Sequence, residues 1–242
     1  MISVVVPTYN EERNIEECLR SILGQTLPRG EIDIIIVDGD SRDRTREIAE
    51  PLADTFIVQT SEGVGGARND GFAVARGEVV ATTDADCRPH PDWLEVVQRD
   101  LGEPGVVAVT GVLVPFDFGD MGGLEQFAYR LLFDLSNAAL VVMSWFGRMH
   151  LCGANSAFRR DAFLGVGGYL PLAYADDVEI FRRIRERGTV RLDTGMRVSY
   201  SVRRIRKVGL LKYMLLLFRM EWDVMVMGRK PVKGGYARQT YE

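Results

Sequence analysis

Short unbroken apolar runs alternate along this chain with stretches in which apolar residues recur every three or four positions. The first pattern marks strands buried on both faces, the second helices with one face turned inward. Ile2 to Val6, closed by Pro7, opens the series. Ile15, Cys18, Leu19, Ile22 and Leu23 follow at helical spacing, with Asn10 as the predicted cap and Glu11 and Glu12 near the positive end. Ile32 to Val37 is the second predicted strand and ends in Asp38-Gly39-Asp40. Ser41 is expected to cap a helix with Ile48, Ala49 and Leu52 on its inner side. Phe56 to Val58, a helix opened by Gly63, and a strand from Glu78 to Thr83 complete four β-α repeats. Such repeats predict a parallel sheet with helices on both faces, and ligands bind beyond the carboxyl ends of its strands. Pro7, Thr8, Tyr9, Asp38 and Asp84 all fall there.

A helix from Pro91 and a strand from Val106 to Val114 come next, and past about Phe116 the pattern changes. Leu131, Leu132, Leu135, Ala138, Ala139, Val142, Met143 and Phe146 form a wide apolar helical face, expected to be core in preference to membrane contact. Gly153-Ala154-Asn155 and Gly167-Gly168-Tyr169 read as tight loops where backbone can approach a ligand. Asp176-Asp177 open a helix continued by Ile180, Phe181 and Ile184. Leu210 to Met227 is apolar but broken by Lys212, Arg219, Glu221 and Asp223; it is too charged to span a bilayer and suited to lie on one or to cover the sheet.

Composition narrows the field. With 46% hydrophobic and 26% charged residues over 242 positions, the chain has a globular make-up. A net charge of -4 argues against a nucleic-acid coat, yet eleven Lys or Arg against two acids lie between Arg182 and Lys212, a solvated face or an anion site. Three cysteines without metal-ligand spacing point to a reducing, cytoplasmic setting. The first residues lack the basic region and cleavage site of a signal peptide. No uninterrupted apolar run approaches the ~20 residues of a membrane span.

Three motifs carry candidate chemistry. Asp84-Ala85-Asp86 follows a strand, and residues i and i+2 of an extended chain point the same way, so both carboxylates can face one crevice. Paired hard oxygens suit magnesium or manganese bridging to phosphates, although a polar turn explains the same residues. The Gly63-Val64-Gly65-Gly66 element lacks the Lys-Ser or Lys-Thr of a nucleotide-triphosphatase loop and comes too late for a dinucleotide fold. Asp176 and Asp177 are either helix-capping acids or a repelling pair in which one pKa rises toward general-base range.

Taken together, VVVPTYNEERNIEECLRSIL at 4–23, VDGDSRDRT at 37–45, GGARNDGFAVARGEVVATTDAD at 65–86, GANSAFRRDAF at 153–163, VGGY at 166–169 and ADDVEIFRRI at 175–184 resemble family two glycosyltransferases of the GT-A fold. The resemblance implies an α/β fold with a Rossmann-like, mostly parallel central sheet flanked by helices and a C-terminal helical extension. It divides the chain into a domain over 1–200, with a nucleotide-sugar half (1–115) and an acceptor half (116–200), and an extension over 201–242 packing on the domain or on a membrane surface. The implied reaction is metal-dependent transfer of a hexosyl group, with inversion, from a nucleoside diphosphate sugar (UDP favoured over GDP) to an acceptor hydroxyl or phosphate. Pro7, Thr8, Tyr9 and Glu11 would line the nucleoside pocket, Asp38 would accept from the base, and Arg68 would reach the nucleotide. In the DXD motif, Asp84 would contact the ribose and Asp86 the Mn2+ or Mg2+, with Asp84 as a further ligand. Asp177 would be the base, with Asp176 able to share the role.

Gly153, Ala154, Asn155, Arg203, Arg204 and Arg206 are the candidates for the acceptor or diphosphate side. The acceptor would be a carbohydrate or lipid-linked, with peripheral contact at the inner face of a membrane and no nucleic acid. The chain departs from many relatives in having no His after the base, which leaves the metal to Asp86, the diphosphate and water or to an unidentified late residue; it also lacks the Gln/Arg-x-x-Arg-Trp motif, and that absence favours addition of one or few sugars. Two rivals stand beside this reading: a sugar nucleotidyltransferase, which would need a Gly-rich loop after the first strand, and a non-catalytic glycosyltransferase-like binding subunit.

Overall fold

The computed structural model describes residues 1–172, 175–210 and 212; the segment predicted up to Met227, and the extension beyond Lys212, lie outside them. Strands β1 (Ile2–Thr8), β2 (Ile32–Asp38), β3 (Thr55–Val58) and β4 (Val79–Thr82) run parallel, joined by α1 (Ile15–Leu23), α2 (Thr45–Ala49) and α3 (Gly63–Val74). The chain continues through β5 (Cys87–Pro89), α4 (Trp93–Gly102), β6 (Val106–Phe116), α5 (Gly123–Trp145), β7 (Ser156–Arg159), α6 (Arg160–Gly165), α7 (Asp176–Ile184), β8 (Thr189–Ser201) and α8 (Arg203–Val208). All eight strands form one sheet in the order β3-β2-β1-β4-β7-β6-β8-β5, with β7 antiparallel to both its neighbours and β5 antiparallel to β8. The sheet is therefore mixed, parallel on the β1–β4 side.

Period-two alternation divides the apolar residues between two layers. Val4, Val6, Ile34 and Ile36 pack with α1 and α4, whereas Val5, Ile35 and Val37 pack with Ala67 and Phe72 of α3 and with Ile180 and Phe181 of α7. Buried polar groups tie the layers: the Trp93 indole donates to Asn155 Oδ1 (2.8 Å), and Asn155 Nδ2 donates to the carbonyls of Val112 and Met196 (2.9 Å each).

Two predicted caps are corrected. α1 begins at Ile15 behind Asn14, while Asn10 adopts a left-handed φ of 53° and uses its Oδ1 to accept from the Arg42 N–H at 2.8 Å. Ser41 lies ahead of α2, accepts from the Asn10 N–H (2.9 Å) and donates to Asp38 Oδ1 (2.5 Å). Both side chains are taken up by tying the loop after β1 to the loop after β2, so neither serves a helix end. The expectation that the helix around 131–146 is core is also overturned: Leu131, Leu135, Val142 and Phe146 are exposed, and α5 buries only the side carrying Tyr129 and Phe133.

Candidate active site

The carboxyl ends of β1 and β4 open into a cavity of about 650 Å³, walled on the far side by α5 and floored by the 150–154 loop. Thr8, Tyr9 and Glu11 enter it from the end of β1, Arg68 from α3, Asp84 and Asp86 from beyond β4, and Arg203 and Arg204 from α8. Pro7, Gly153, Ala154, Asp176 and Asp177 also line it.

Asp84 and Asp86 meet through a turn, not along an extended strand. β4 stops at Thr82, and the Cys87 N–H donates to the Asp84 carbonyl at 3.0 Å. The turn brings ligand atoms of Asp84, Asp86 and Cys87 within 4.8 Å of one another. Burial pushes the Asp86 carboxyl up, opposed by Arg203 and reinforced by Asp84. Burial likewise keeps the Cys87 thiol protonated, which leaves the two carboxylates as the available ligands. Two crowded acids offering only hard oxygen donors, with an open cavity beside them, fit a divalent cation such as Mg2+ or Mn2+.

Arg203 bridges two of the acids. Its Nε donates to Asp86 Oδ2 at 3.0 Å, and its Nη2 donates to Glu11, whose own carboxyl burial pushes up against the pull of that guanidinium. The first helical turn after β8 is thus bound by charge to the ends of β1 and β4.

Arg68 is the second organising cation. It is 3% exposed, donates from Nη2 to Asp84 Oδ1 at 2.9 Å, and places Nη1 3.5 Å from Asp176 Oδ2 and 3.9 Å from Asp177 Oδ1. Its guanidinium lies 5.6 Å from the centre of the Tyr169 ring. Burial works against the charge, but Asp84, Tyr169, Asp177 and Asp176 more than offset it, so Arg68 stays protonated. Gly153 lets this cation pass: a Cβ there would sit 2.3 Å from Arg68 Nη2.

Asp177 sits in the first turn of α7, where Ala175 precedes it with a left-handed φ of 58°. Its Oδ2 accepts the Gly153 N–H at 2.9 Å, while Oδ1 has no hydrogen-bond partner among the described residues. Burial, then the charge of Asp176, push its carboxyl up to about 7, with Arg68 and the Gly153 N–H pulling the other way. A carboxylate with such a pKa and an uncommitted oxygen can accept a proton near neutral pH.

Three of the predicted residues lie elsewhere. Asp38 is buried at the end of β2 and holds the Ser41 N–H and hydroxyl (2.8 and 2.5 Å) without lining the cavity. Asn155 is fully buried in the tie between Trp93, Val112 and Met196 described above. Arg206 is exposed, with its guanidinium against Gly119. Conversely, Tyr169 under Arg68, Gln59, Cys152 and the α5 wall of Leu132, Ser136 and Met143 were not foreseen as site residues. Of these only Tyr169 carried a signal, as the aromatic after a Gly-Gly loop.

Comparison with known proteins bears on the family and the fold. A family model described as Glycosyl transferase family 2 matches residues 3–166. Glycosyltransferase AglE of Haloferax volcanii is 35% identical over 116 residues, 46% of this chain and 38% of that protein. The chain also spans only 35% of the EpsH relative from Bacillus subtilis. A glucosyl-dolichyl phosphate glucuronosyltransferase of Haloferax volcanii is 30% identical over 263 residues, covering 100% of this chain and 77% of that one. Among solved structures, S. aureus TarS 1-349 in complex with UDP-GlcNAc superposes with a TM-score of 0.63 at 19% identity, over 83% of this chain and 58% of that one. The mannosyltransferase PcManGT from Pyrobaculum calidifontis, in complex with GDP-Man and Mn2+, gives 0.62 at 24% identity, over 90% and 64%. The architecture is that of the GT-A glycosyltransferases. With a curled mixed sheet of that type and a family match running from β1 through α6, the chain belongs to glycosyl transferase family 2.

Proposed function

We propose that this protein transfers a hexosyl group from a nucleoside diphosphate sugar to an acceptor hydroxyl or phosphate, in the presence of a divalent cation and with inversion at the anomeric carbon. The observation that carries the reading is that Asp177, with its raised pKa and uncommitted Oδ1, opens on the same cavity as Asp84, Asp86 and Arg203. A base and a site for negative charge thus share one enclosed space.

The nucleotide occupies the side built by residues 1–115. Thr8, Tyr9 and Glu11 meet the nucleoside, Asp84 the ribose, and Arg68 supports Asp84 from below. Asp38 acts on the base by fixing the loop after β2 through Ser41. Asp86, with Asp84, would hold Mn2+ or Mg2+, and the cation would supply neutralisation of charge on the departing diphosphate. Arg203 and Arg204, which line the same cavity, would meet the negative charge of the diphosphate. From the acceptor side, residues 116–200, Asp177 takes the proton of the attacking hydroxyl as that oxygen approaches the anomeric carbon from the face opposite the diphosphate. The Gly153 N–H orients Asp177, and Asp176 keeps its proton affinity high. A UDP sugar is the preferred donor and a GDP sugar the alternative, both classes being present in complexes of structural neighbours. A lipid-linked acceptor is favoured by the relative named for a glucosyl-dolichyl phosphate substrate.

Incubating the protein with manganese and a panel of UDP and GDP sugars tests this. Release of nucleoside diphosphate from one donor, and a product of opposite anomeric configuration, is the expected result. Retention of configuration overturns the displacement step, and no release from any donor identifies a binding subunit.

A further inference from the structure

The outward side of α5 has no partner among the described residues. Leu124, Phe127, Leu131, Leu135, Val142 and the Trp145-Phe146 pair fall within an arc of about 120° along its length, about 34 Å at 1.5 Å per residue. No polar residue interrupts the arc, since Ala128, Ala138 and Ala139 fill its remaining positions. Exposure is high at both ends, 84% at Leu124, 75% at Trp145 and 73% at Phe146. A stripe this long on a soluble surface marks an interaction site.

The helix is long and apolar enough to cross a bilayer by length and composition, but its inner side excludes that arrangement. Tyr129 and Phe133 are buried against Val202 and Ile205, and the Asn137 amide both donates to the Leu113 carbonyl (2.9 Å) and accepts from the Leu113 N–H (3.3 Å). A helix clamped to β6 and α8 in this way can only lie parallel to a membrane surface.

Charge indicates which partner fits. Exposed cations lie beyond the ends of the stripe: Arg148 just past Phe146 and Arg185 donating to the Gly147 carbonyl (3.0 Å) at the Trp145-Phe146 end, and Arg206 beside Gly119 at the other. On the helix itself the exposed Asp134, Glu125 and Arg130 lie about 80°, 100° and 120° from the centre of the arc, so its flanks carry both signs and the excess of positive charge sits at the Trp145-Phe146 end. An apolar stripe ending in Trp-Phe with arginines just beyond that end matches the interfacial zone of an anionic bilayer, where aromatic rings sit at headgroup level and guanidinium groups reach lipid phosphates.

We propose that the outer face of α5 is a membrane-docking surface, buried to the headgroup and upper acyl region of an anionic lipid bilayer. The adjoining side of the same helix, at Leu132, Ser136 and Met143, lines the cavity. Docking therefore sets the mouth of the site against the bilayer, and this consequence rests on the acceptor reading above. The docking itself stands on the stripe and the arginines just beyond its end.

The test uses the full chain with vesicles of phosphatidylcholine and phosphatidylglycerol. The protein is expected to sediment with them and to lose tryptophan emission to brominated acyl chains, a loss absent in Trp145→Phe. The double variant Leu131→Ser, Leu135→Ser, neither of which lines the cavity, should bind vesicles about tenfold or more weakly. Its near-ultraviolet circular dichroism and its donor hydrolysis should be unchanged, which separates this proposal from the catalytic one. Binding that survives the double variant overturns the proposal and points to residues 213–242. Absence of vesicle binding overturns it too, and a concentration-dependent dimer lost in the double variant would then assign the stripe to a second copy of the chain.

Discussion

Asp177 is costly to keep ionised where it is. Buried beside Asp176, its carboxyl is held up to about 7, and only Arg68 and the Gly153 N–H favour its charge. A base must be deprotonated to act, so transfer should rise as pH climbs through about 7 and fall on the acid side, as a pH-rate profile measures. Asp177→Asn keeps the shape but cannot take the proton. It should lower turnover by about 10²–10⁴-fold, remove the acid limb and leave nucleotide affinity nearly intact. The two earlier acids differ in their partners, Arg68 for Asp84 and Arg203 for Asp86. Asp86→Ala should abolish manganese-dependent donor binding more completely than Asp84→Ala when titrated calorimetrically, and the reverse order would exchange their roles. Asp84→Ala should instead destabilise the fold, because it removes the closest carboxylate from a buried guanidinium.

At the scale of elements, the site depends on short connections that carry little pattern of their own. The turn that joins Asp84 and Asp86, and β7 with only four residues, are examples. Asn155 just ahead of β7 satisfies the Trp93 indole of α4 and the carbonyls of β6 and β8. Asn155→Ala strands a buried donor and two acceptors and should cost about 3–4 kcal/mol in urea denaturation, with loss of activity following loss of fold. The motif around Asn155 was legible in the chain, but its role was not. An asparagine in a Gly-Ala-Asn loop reads as a ligand contact until three elements distant in sequence are seen to converge on it. Caps failed for the same reason: Asn10 and Ser41 are good cap residues whose oxygens are taken first, Asn10 Oδ1 by the Arg42 N–H and Ser41 Oγ by the Asn10 N–H.

Over the whole molecule, the cavity is closed by parts far apart in the chain: β1, α3 and the end of β4 on one side, α5 and α8 on the other. A ligand held by all of them stabilises the fold by mass action. A cognate nucleotide with manganese, at about a hundredfold excess over its Kd, should raise Tm by about 5–10 °C in differential scanning fluorimetry. Removing the cation with a chelator should abolish most of that shift if Asp86 and Asp84 hold the metal.

The four parallel β-α repeats, the placement of Tyr9, Asp84 and Asp177 in named motifs, and the family itself were determined by the sequence alone, since period-two and helical patterns and short-range motifs are local properties of a chain. Only the tertiary structure decided that β7 runs antiparallel into the sheet, that Arg68 faces three acids at once, that Arg203 bridges Glu11 to Asp86, and that the apolar side of α5 looks outward. The reason is physical. Which cation meets which acid, and which face of an amphipathic helix is covered, depends on what the rest of the chain brings alongside, and an apolar stripe looks the same in sequence whether protein or lipid lies against it.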